Sequence, residues 1–298
     1  MNSPTSITKI SCYQKVDSEL QKPLMIFTGI TDWYYWSYYC EITQREIILA
    51  NYIRNLLESL QLIPNKYDST SLLSIKSPKI IDIGCGTMEF TNALNIPDIL
   101  GMDITDFRKH KNSLFIHGKL EDIINGTIHL PSEYRNPDIV IFKQSFHLIS
   151  NNHSLIQTLF PNSHILILQA SCCPWNCQPY NGKGENAQIN KTILEQNGRK
   201  VDLYRTELHY SFSTEQVERF LIGGFQSDIR KLSLKERLKL YEDVLINTQQ
   251  NNNADAVSSN IIPFYDIIDV LLAYPCTEGS TNKQEFPVVV EDPNDHHQ

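Results

Sequence analysis

Lys79-Ile-Ile-Asp-Ile-Gly-Cys-Gly-Thr87 decides the fold. A short, mostly apolar strand, Lys79 to Ile83, runs straight into a turn built on Gly84 and Gly86. Phe90 to Leu94 then predicts a helix that Pro97 limits. Two glycines let the backbone turn tightly and approach a ligand closely, and amides at a helix start can face a polar or anionic group. Working outward, Ile99-Leu-Gly-Met-Asp103 predicts a second strand with an acidic end. Ser113 to His117, Asp138 to Phe142 and His164 to Leu168 predict three more, with helical patterns at Asp122 to Ile128 and Leu155 to Phe160. Short, nearly continuous apolar strands separated by helices indicate a parallel sheet buried on both faces.

Asp103 lies twenty-one positions after Asp82, at the end of the second strand. An acid there can accept both hydroxyls of a ribose; its plain reading is a strand-end turn residue. Asp82 either organises the ligand or only caps the turn. A dinucleotide is the rival ligand. Its fingerprint needs a third glycine, which from Gly84 would fall at Glu89, where a carboxylate would repel pyrophosphate.

These segments resemble those of class I S-adenosylmethionine-dependent methyltransferases. Asp82-Ile-Gly-Cys-Gly-Thr87 is similar to their first motif, and Leu100-Gly-Met-Asp-Ile104 to the second, whose acid holds the ribose. Ile116-His-Gly-Lys-Leu-Glu-Asp-Ile123 looks like the segment that borders adenine. Pro137-Asp-Ile-Val-Ile-Phe-Lys-Gln-Ser-Phe-His147 looks like the fourth strand and the turn beside the transferable methyl. The resemblance covers residues 45–170 and extends further by topology only. It implies an α/β fold: a Rossmann-like, seven-stranded, mostly parallel sheet with the last strand antiparallel. It implies S-adenosylmethionine as cofactor, held by Asp82, Gly84, Cys85, Gly86, Asp103, Ile104, Leu120, Glu121 and Gln144. Two residues depart from the pattern. Met88 stands where a third glycine is common, which is expected to narrow the space near the methionine moiety. Lys119 stands where an acid often flanks adenine, which leaves adenine to backbone amides near Leu120, or to Glu121 or Asp122.

Upstream, Thr31-Asp-Trp-Tyr-Tyr-Trp-Ser-Tyr-Tyr-Cys40 packs six aromatics into ten positions. A helix is expected from Glu41 to Leu62, with an apolar stripe of Leu49, Tyr52, Ile53, Leu56, Leu57 and Leu60, ended by Pro64-Asn65. Downstream, a helix from Ala187 to Asn197 precedes a strand from Val201 to Phe212. Ser213 to Thr248 reads as two or more helices opened by the capping signal Ser213-Thr-Glu-Gln216. Gln249 to Asn260 reads as a linker, and Phe264 to Tyr274 as the final strand. The division expected is a cover segment, residues 1–44, and a methyltransferase domain, residues 45–298, with a helical insertion at about 213–260. The aromatic N-terminus and the insertion would form a helical cover over the acceptor. By resemblance, enzymes with such a cover act mostly on small metabolites.

Among titratable groups, His147 has two readings: a base that takes a proton from the acceptor, or a histidine packed under the cover. Glu207 and His209 alternate onto one face of their strand, where they border substrate or simply pack. Tyr38 and Tyr39 line an acceptor pocket or pack a helix; aromatic faces attract a sulfonium or ammonium. Phe225, in the insertion, is a further substrate candidate. Cys172, Cys173 and Cys177 lack the matching second pair that zinc sites need, so no metal is expected.

The net charge of −8 and the absence of a Lys/Arg cluster disfavour a nucleic-acid partner. No apolar run approaches the roughly 20 residues that span a bilayer, and no export pattern opens the chain, so no membrane partner and a cytoplasmic setting are expected. The expected activity is methyl transfer from S-adenosylmethionine to an N or O atom of a small-molecule acceptor. Methylation of RNA or protein is the second reading, which Lys143-Gln-Ser-Phe146 disfavours because no Asn-Pro-Pro-Tyr-like signature follows the fourth strand. A non-catalytic S-adenosylmethionine-binding subunit is the third, with Met88 and Lys119 as signs of decay. No oligomeric interface is legible.

Overall fold

The strands pair as one eight-stranded sheet in the computed structural model, which describes residues 7–15, 44–65, 77–108, 113–149, 152–170, 187–223, 232–251 and 261–276. In chain order the elements are β1 (Ile7–Lys15), α1 (Arg45–Ser59), β2 (Ile80–Ile83), α2 (Glu89–Ala93), β3 (Ile99–Asp103), β4 (Phe115–His117), α3 (Leu120–Ile124), β5 (Ile139–Lys143), α4 (Asn152–Leu159), β6 (His164–Ala170), α5 (Ala187–Gln196), β7 (Val201–Ser213), α6 (Thr214–Gly223), α7 (Leu234–Asn251) and β8 (Ile261–Ala273). The sheet order is β1-β7-β8-β6-β5-β2-β3-β4. All pairs are parallel except those of β8, which runs antiparallel to both β6 and β7. Seven strands thus make the expected sheet with its last strand reversed, and β1 is an addition at the edge.

Both faces are packed. Even positions of β2 and odd positions of β5, Ile80, Ile139 and Ile141, meet Leu49, Ile53 and Leu57 of α1 with Phe90 and Leu94 at α2. The alternate positions, Ile81, Val140 and Phe142, meet Leu120, Leu155, Ile156 and Leu194 from α3, α4 and α5. A strand with every residue buried, as β2 is, fits a parallel sheet covered on both sides.

Three boundaries and one strand differ from expectation. The first helix stops at Ser59, before Pro64: Gln61 turns left-handed (φ 57°), and Leu62 and Gln61 donate back to Leu57 and Glu58 in a Schellman closure. The helix α7 continues through Gln249 to Asn251, into the stretch read as linker. The last strand begins at Ile261, three residues earlier than expected. The strand β1 was not legible, because Ile7, Ile10 and Tyr13 recur at intervals of three rather than alternating.

The insertion does separate β7 from β8, with two helices among its described residues. Ser213 and Gln216 exchange the expected capping bonds, Ser213 N to Gln216 Oε1 at 2.8 Å and Gln216 N to Ser213 Oγ at 3.2 Å. Val217 of α6 joins Leu208, Phe212 and Ile268 in the core, with Tyr241 and Val244 of α7 packed against that cluster. The two described helices of the insertion therefore lie on the α1 face of the long hairpin. The aromatic run 33–39 lies outside the described residues.

Candidate functional site

The turn after β2 is held from two sides. Gly84 N donates to Met102 O of β3 at 2.7 Å. Gly84 has φ 71°, and a Cβ there would sit 2.3 Å from Ser145 Cβ. The glycine is required because the chain leaving β5 lies directly on it, with the Ser145 hydroxyl donating to Ile83 O. Gly86, at φ 55°, donates its N–H to Asp103 Oδ2 at 2.9 Å. Thr105 N donates to the other oxygen, Oδ1, at 3.1 Å. The Asp103 carboxylate therefore bridges the turn after β2 and the turn after β3. Each carboxylate oxygen has two lone-pair sites, so an acceptor remains on both oxygens, side by side, which matches a pair of vicinal hydroxyls.

Asp82 is fully buried beside this bridge. The Thr91 hydroxyl, at the start of α2, donates to its Oδ2. Its Oδ1 has no hydrogen-bond partner among the described residues. Burial pushes the carboxyl pKa up to about 6, opposed by the Thr91 bond and by the Lys143 cation and reinforced by the charges of Glu46 and Asp103. A buried acceptor left open is costly unless a ligand donor meets it. Burial and the charges of Asp82 and Asp103 also hold the Cys85 thiol well above its ordinary pKa. That thiol is neutral and inert, so Cys85 contributes its backbone and its packing.

Met88 corrects an expectation. Its side chain does not narrow the site: it is buried at 1% exposure, and its sulfur lies against Gly101 together with the Cys85 thiol. Its backbone takes the left-handed φ of 61° that a glycine would, at a cost of order 1 kcal/mol, and the flexible thioether fills the core above β3. Lys119 is exposed and opens α3, its N–H bonded to Asp122 Oδ2 at 3.0 Å. Asp122 is thus engaged in the cap, while the Leu120 side chain points into the core and Glu121 is half-buried. Ile104, next to Asp103, is 66% exposed, an apolar surface where a flat base could lie.

After β5, Gln144 takes φ 55°, and its Nε2 is buried without a partner among the described residues. His147 follows in a single 3-10 turn, Phe146–Leu148, and its ring makes no hydrogen bond among the described residues. Partial desolvation pushes its pKa below the ordinary value, so the imidazole is neutral at pH 7. His209 lies on β7, beside Glu207 with Nε2 3.4 Å from its carboxylate, on the face away from α1. Two strands, β8 and β6, stand between β7 and β5. Hydrogen bonds therefore join Gly86 to Asp103 and Ser145 to Ile83, with Gly84 packed on Ser145. His209 instead stands by Glu207, beyond those two strands in the sheet order. Tyr38, Tyr39, Phe225, Cys172, Cys173 and Cys177 lie outside the described residues, and no metal-binding cluster occurs among the described ones. No described helix is long and apolar enough to cross a membrane.

Sequence reading missed Thr91, Glu46 and Lys143 as parts of this site. Thr91 had a legible signal, a hydroxyl one turn into the helix after the glycines. The partnership of Glu46 with Lys143 spans ninety-seven positions and had none.

No family model matches the sequence, and no curated protein matches it. The sheet order and the reversed last strand fix the architecture. The architecture is Rossmann-like, a mostly parallel sheet whose last strand runs antiparallel. Among solved structures, the chain is similar to an S-adenosylmethionine-dependent methyltransferase from Archaeoglobus fulgidus (15% identity, 75% of this chain, 94% of that one, TM-score 0.38). It is also similar to the plantazolicin methyltransferase BpumL, solved in complex with a triazolic desmethylPZN analog and SAH (13%, 82% and 93%, TM-score 0.41). The [4+2]-cyclase SpnF is a third (12%, 69% and 78%, TM-score 0.36).

Proposed function

We propose that this chain binds S-adenosylmethionine at the turn after β2 and transfers its methyl group to an N or O atom of a small-molecule acceptor. The observation that carries the reading is Asp103, whose two oxygens each hold one turn amide and keep an acceptor free. Those acceptors suit the ribose hydroxyls, and the exposed Ile104 beside them suits adenine. The open Asp82 Oδ1 suits an ammonium, and the buried Gln144 Nε2 is an open donor near the same edge.

When bound, the cofactor supplies an already electrophilic methyl on a sulfonium. The protein's part is to align an acceptor in line with it and to exclude water. His147, neutral and in the turn after β5, is the group available to take a proton. The negative charge and the lack of a Lys/Arg cluster support a small acceptor over RNA. Met88, turned into the core rather than into the site, speaks against decay.

Calorimetry with S-adenosylmethionine and with its demethylated product tests this. Both are expected to bind, and Asp103→Ala to weaken binding by about 1–3 kcal/mol through loss of a charged acceptor. No heat with either compound would overturn the reading. Methyl incorporation from labelled cofactor into small amines, phenols and carboxylates, against RNA and protein fractions, decides the acceptor class.

A further inference from the structure

At the amino end of α1, Glu46 is buried at 5% exposure and Arg45 is fully buried. Neither position belongs to a core stripe. Glu46 Oε1 accepts from Arg45 Nη1 at 3.2 Å, and its Oε2 lies 2.8 Å from Lys143 Nζ. Lys143 is the last residue of β5 and faces α1; its Nζ stands 5.9 Å from the centre of the Phe90 ring. Phe90 neighbours Thr91, which bonds Asp82. Three elements, α1, β2 and β5, thus place Arg45, Glu46, Asp82 and Lys143 in one buried cluster, with Phe90 and Thr91 of α2 beside them. Methyl transfer needs none of the first three.

We propose that the Glu46–Lys143 pair is a positioning device for the cofactor turn: it sets the charge on Asp82 and so couples the seating of α1 to cofactor binding. This rests on the reading of Asp82 as the acceptor for the cofactor's ammonium. The groups that act on Asp82 are the Lys143 cation from β5, the Glu46 carboxylate from α1, the Asp103 carboxylate from β3 and the Thr91 hydroxyl from α2. Lys143 pulls its carboxyl toward the charged form; Glu46 and Asp103 push it back. With the carboxyl pKa at about 6, these opposing charges act within reach of neutral pH. Only the charged form is a strong acceptor for an ammonium. Glu46 has a second effect, since it holds Lys143 to α1 instead of leaving it to Asp82.

Opposite signs test the device. Cofactor affinity is measured from pH 5 to 8.5 on the full chain. In the wild type it should rise with a midpoint near the Asp82 pKa. Lys143→Met removes the cation and should move the midpoint up by about one pH unit or more. Lys143→Arg should bring it back. Glu46→Gln removes the opposing charge and releases Lys143, so the midpoint should move down. A merely structural pair would shift neither midpoint, or both in one direction, and that result overturns the proposal. Should Lys143→Met fail to fold, Lys143→Gln, which also removes the cation but keeps a polar tip for Glu46, carries the same contrast with Glu46→Gln. The Asp82 carboxyl is also titrated by carbon NMR without cofactor. If cofactor does not bind but these titrations move as stated, the functional reading and the coupling to it fail, and only the control of the Asp82 charge by the pair stands.

Discussion

At the β2–β3 end of the sheet, strands of four and five residues stop together at Ile83 and Asp103, and short bonds tie the turns that follow to each other. At the β7–β8 end the strands are thirteen residues long. Beyond Ala170, the last described residue of β6, they continue from Glu207↔Ile267 to Ser213↔Ile261. That ribbon stands roughly 20 Å past the carboxyl edge at about 3.4 Å per residue. It is flanked by β1 on one side and packed by the insertion helices on the α1 face. The contrast separates two tasks. A fixed ligand can be met by short, tightly bonded turns with little spare backbone. A variable one is met by added structure, and here the additions, β1, the ribbon and the insertion, all gather at one end.

The sharpest way to break this contrast is at Gly84. Gly84→Val must place a branched Cβ on Ser145 while holding φ at 71°. Strain and overpacking together cost roughly 2–4 kcal/mol, and cofactor binding should be lost altogether. The measurement is calorimetry beside a urea denaturation curve. Normal affinity in this variant would mean that the turn is not the cofactor site.

A smaller and purely structural effect is expected from the opposite edge. Arg199 is buried at 2% exposure and donates to carbonyls of Phe160, Ser163 and Tyr274 at 2.6, 2.8 and 3.2 Å. It staples the approach to β6 to the exit of β8, and burial without a carboxylate lowers its pKa. Arg199→Met leaves those carbonyls unpaired and should cost about 1–3 kcal/mol of stability. Cofactor affinity in the folded variant should match the wild type. A large loss of affinity would mean that the amino edge and the site are not independent.

These two positions also show what the sequence could convey. Gly84, Gly86 and Asp103 were legible because local backbone chemistry dictates them: glycines where φ is positive, an acid at a strand end. The core strands were legible because burial on both faces leaves a continuous apolar run. Arg199 carries no such mark, since its partners are carbonyls thirty-six to seventy-five positions away. The pairing of Glu46 with Lys143 was invisible for the same reason. Met88 misled, because residue type was taken to predict where a side chain points, and the left-handed backbone turned it into the core.

The smallest expected effect carries the most information about cost. The Asp82 pKa, about 6 in the folded protein against an ordinary 3.8, means that folding favours its protonated form. Its contribution to stability is therefore complete below about pH 4 and is lost as pH rises through 6; at neutral pH the ionised carboxyl is a burden. A rise from 3.8 to about 6 bounds that burden at roughly 3 kcal/mol. Asp82→Asn keeps an acceptor for the Thr91 hydroxyl and removes the charge. It should be more stable than the wild type at pH 8 by about 1–2 kcal/mol, and indistinguishable from it near pH 4, in urea curves taken across that range. The same variant should bind cofactor more weakly, because the ammonium loses a charged partner. A site held at the expense of stability is what the short, tightly bonded end of the sheet would then be. If Asp82→Asn gains nothing at pH 8, the buried carboxyl carries no such cost, and the open Oδ1 is satisfied by the protein alone rather than by a ligand.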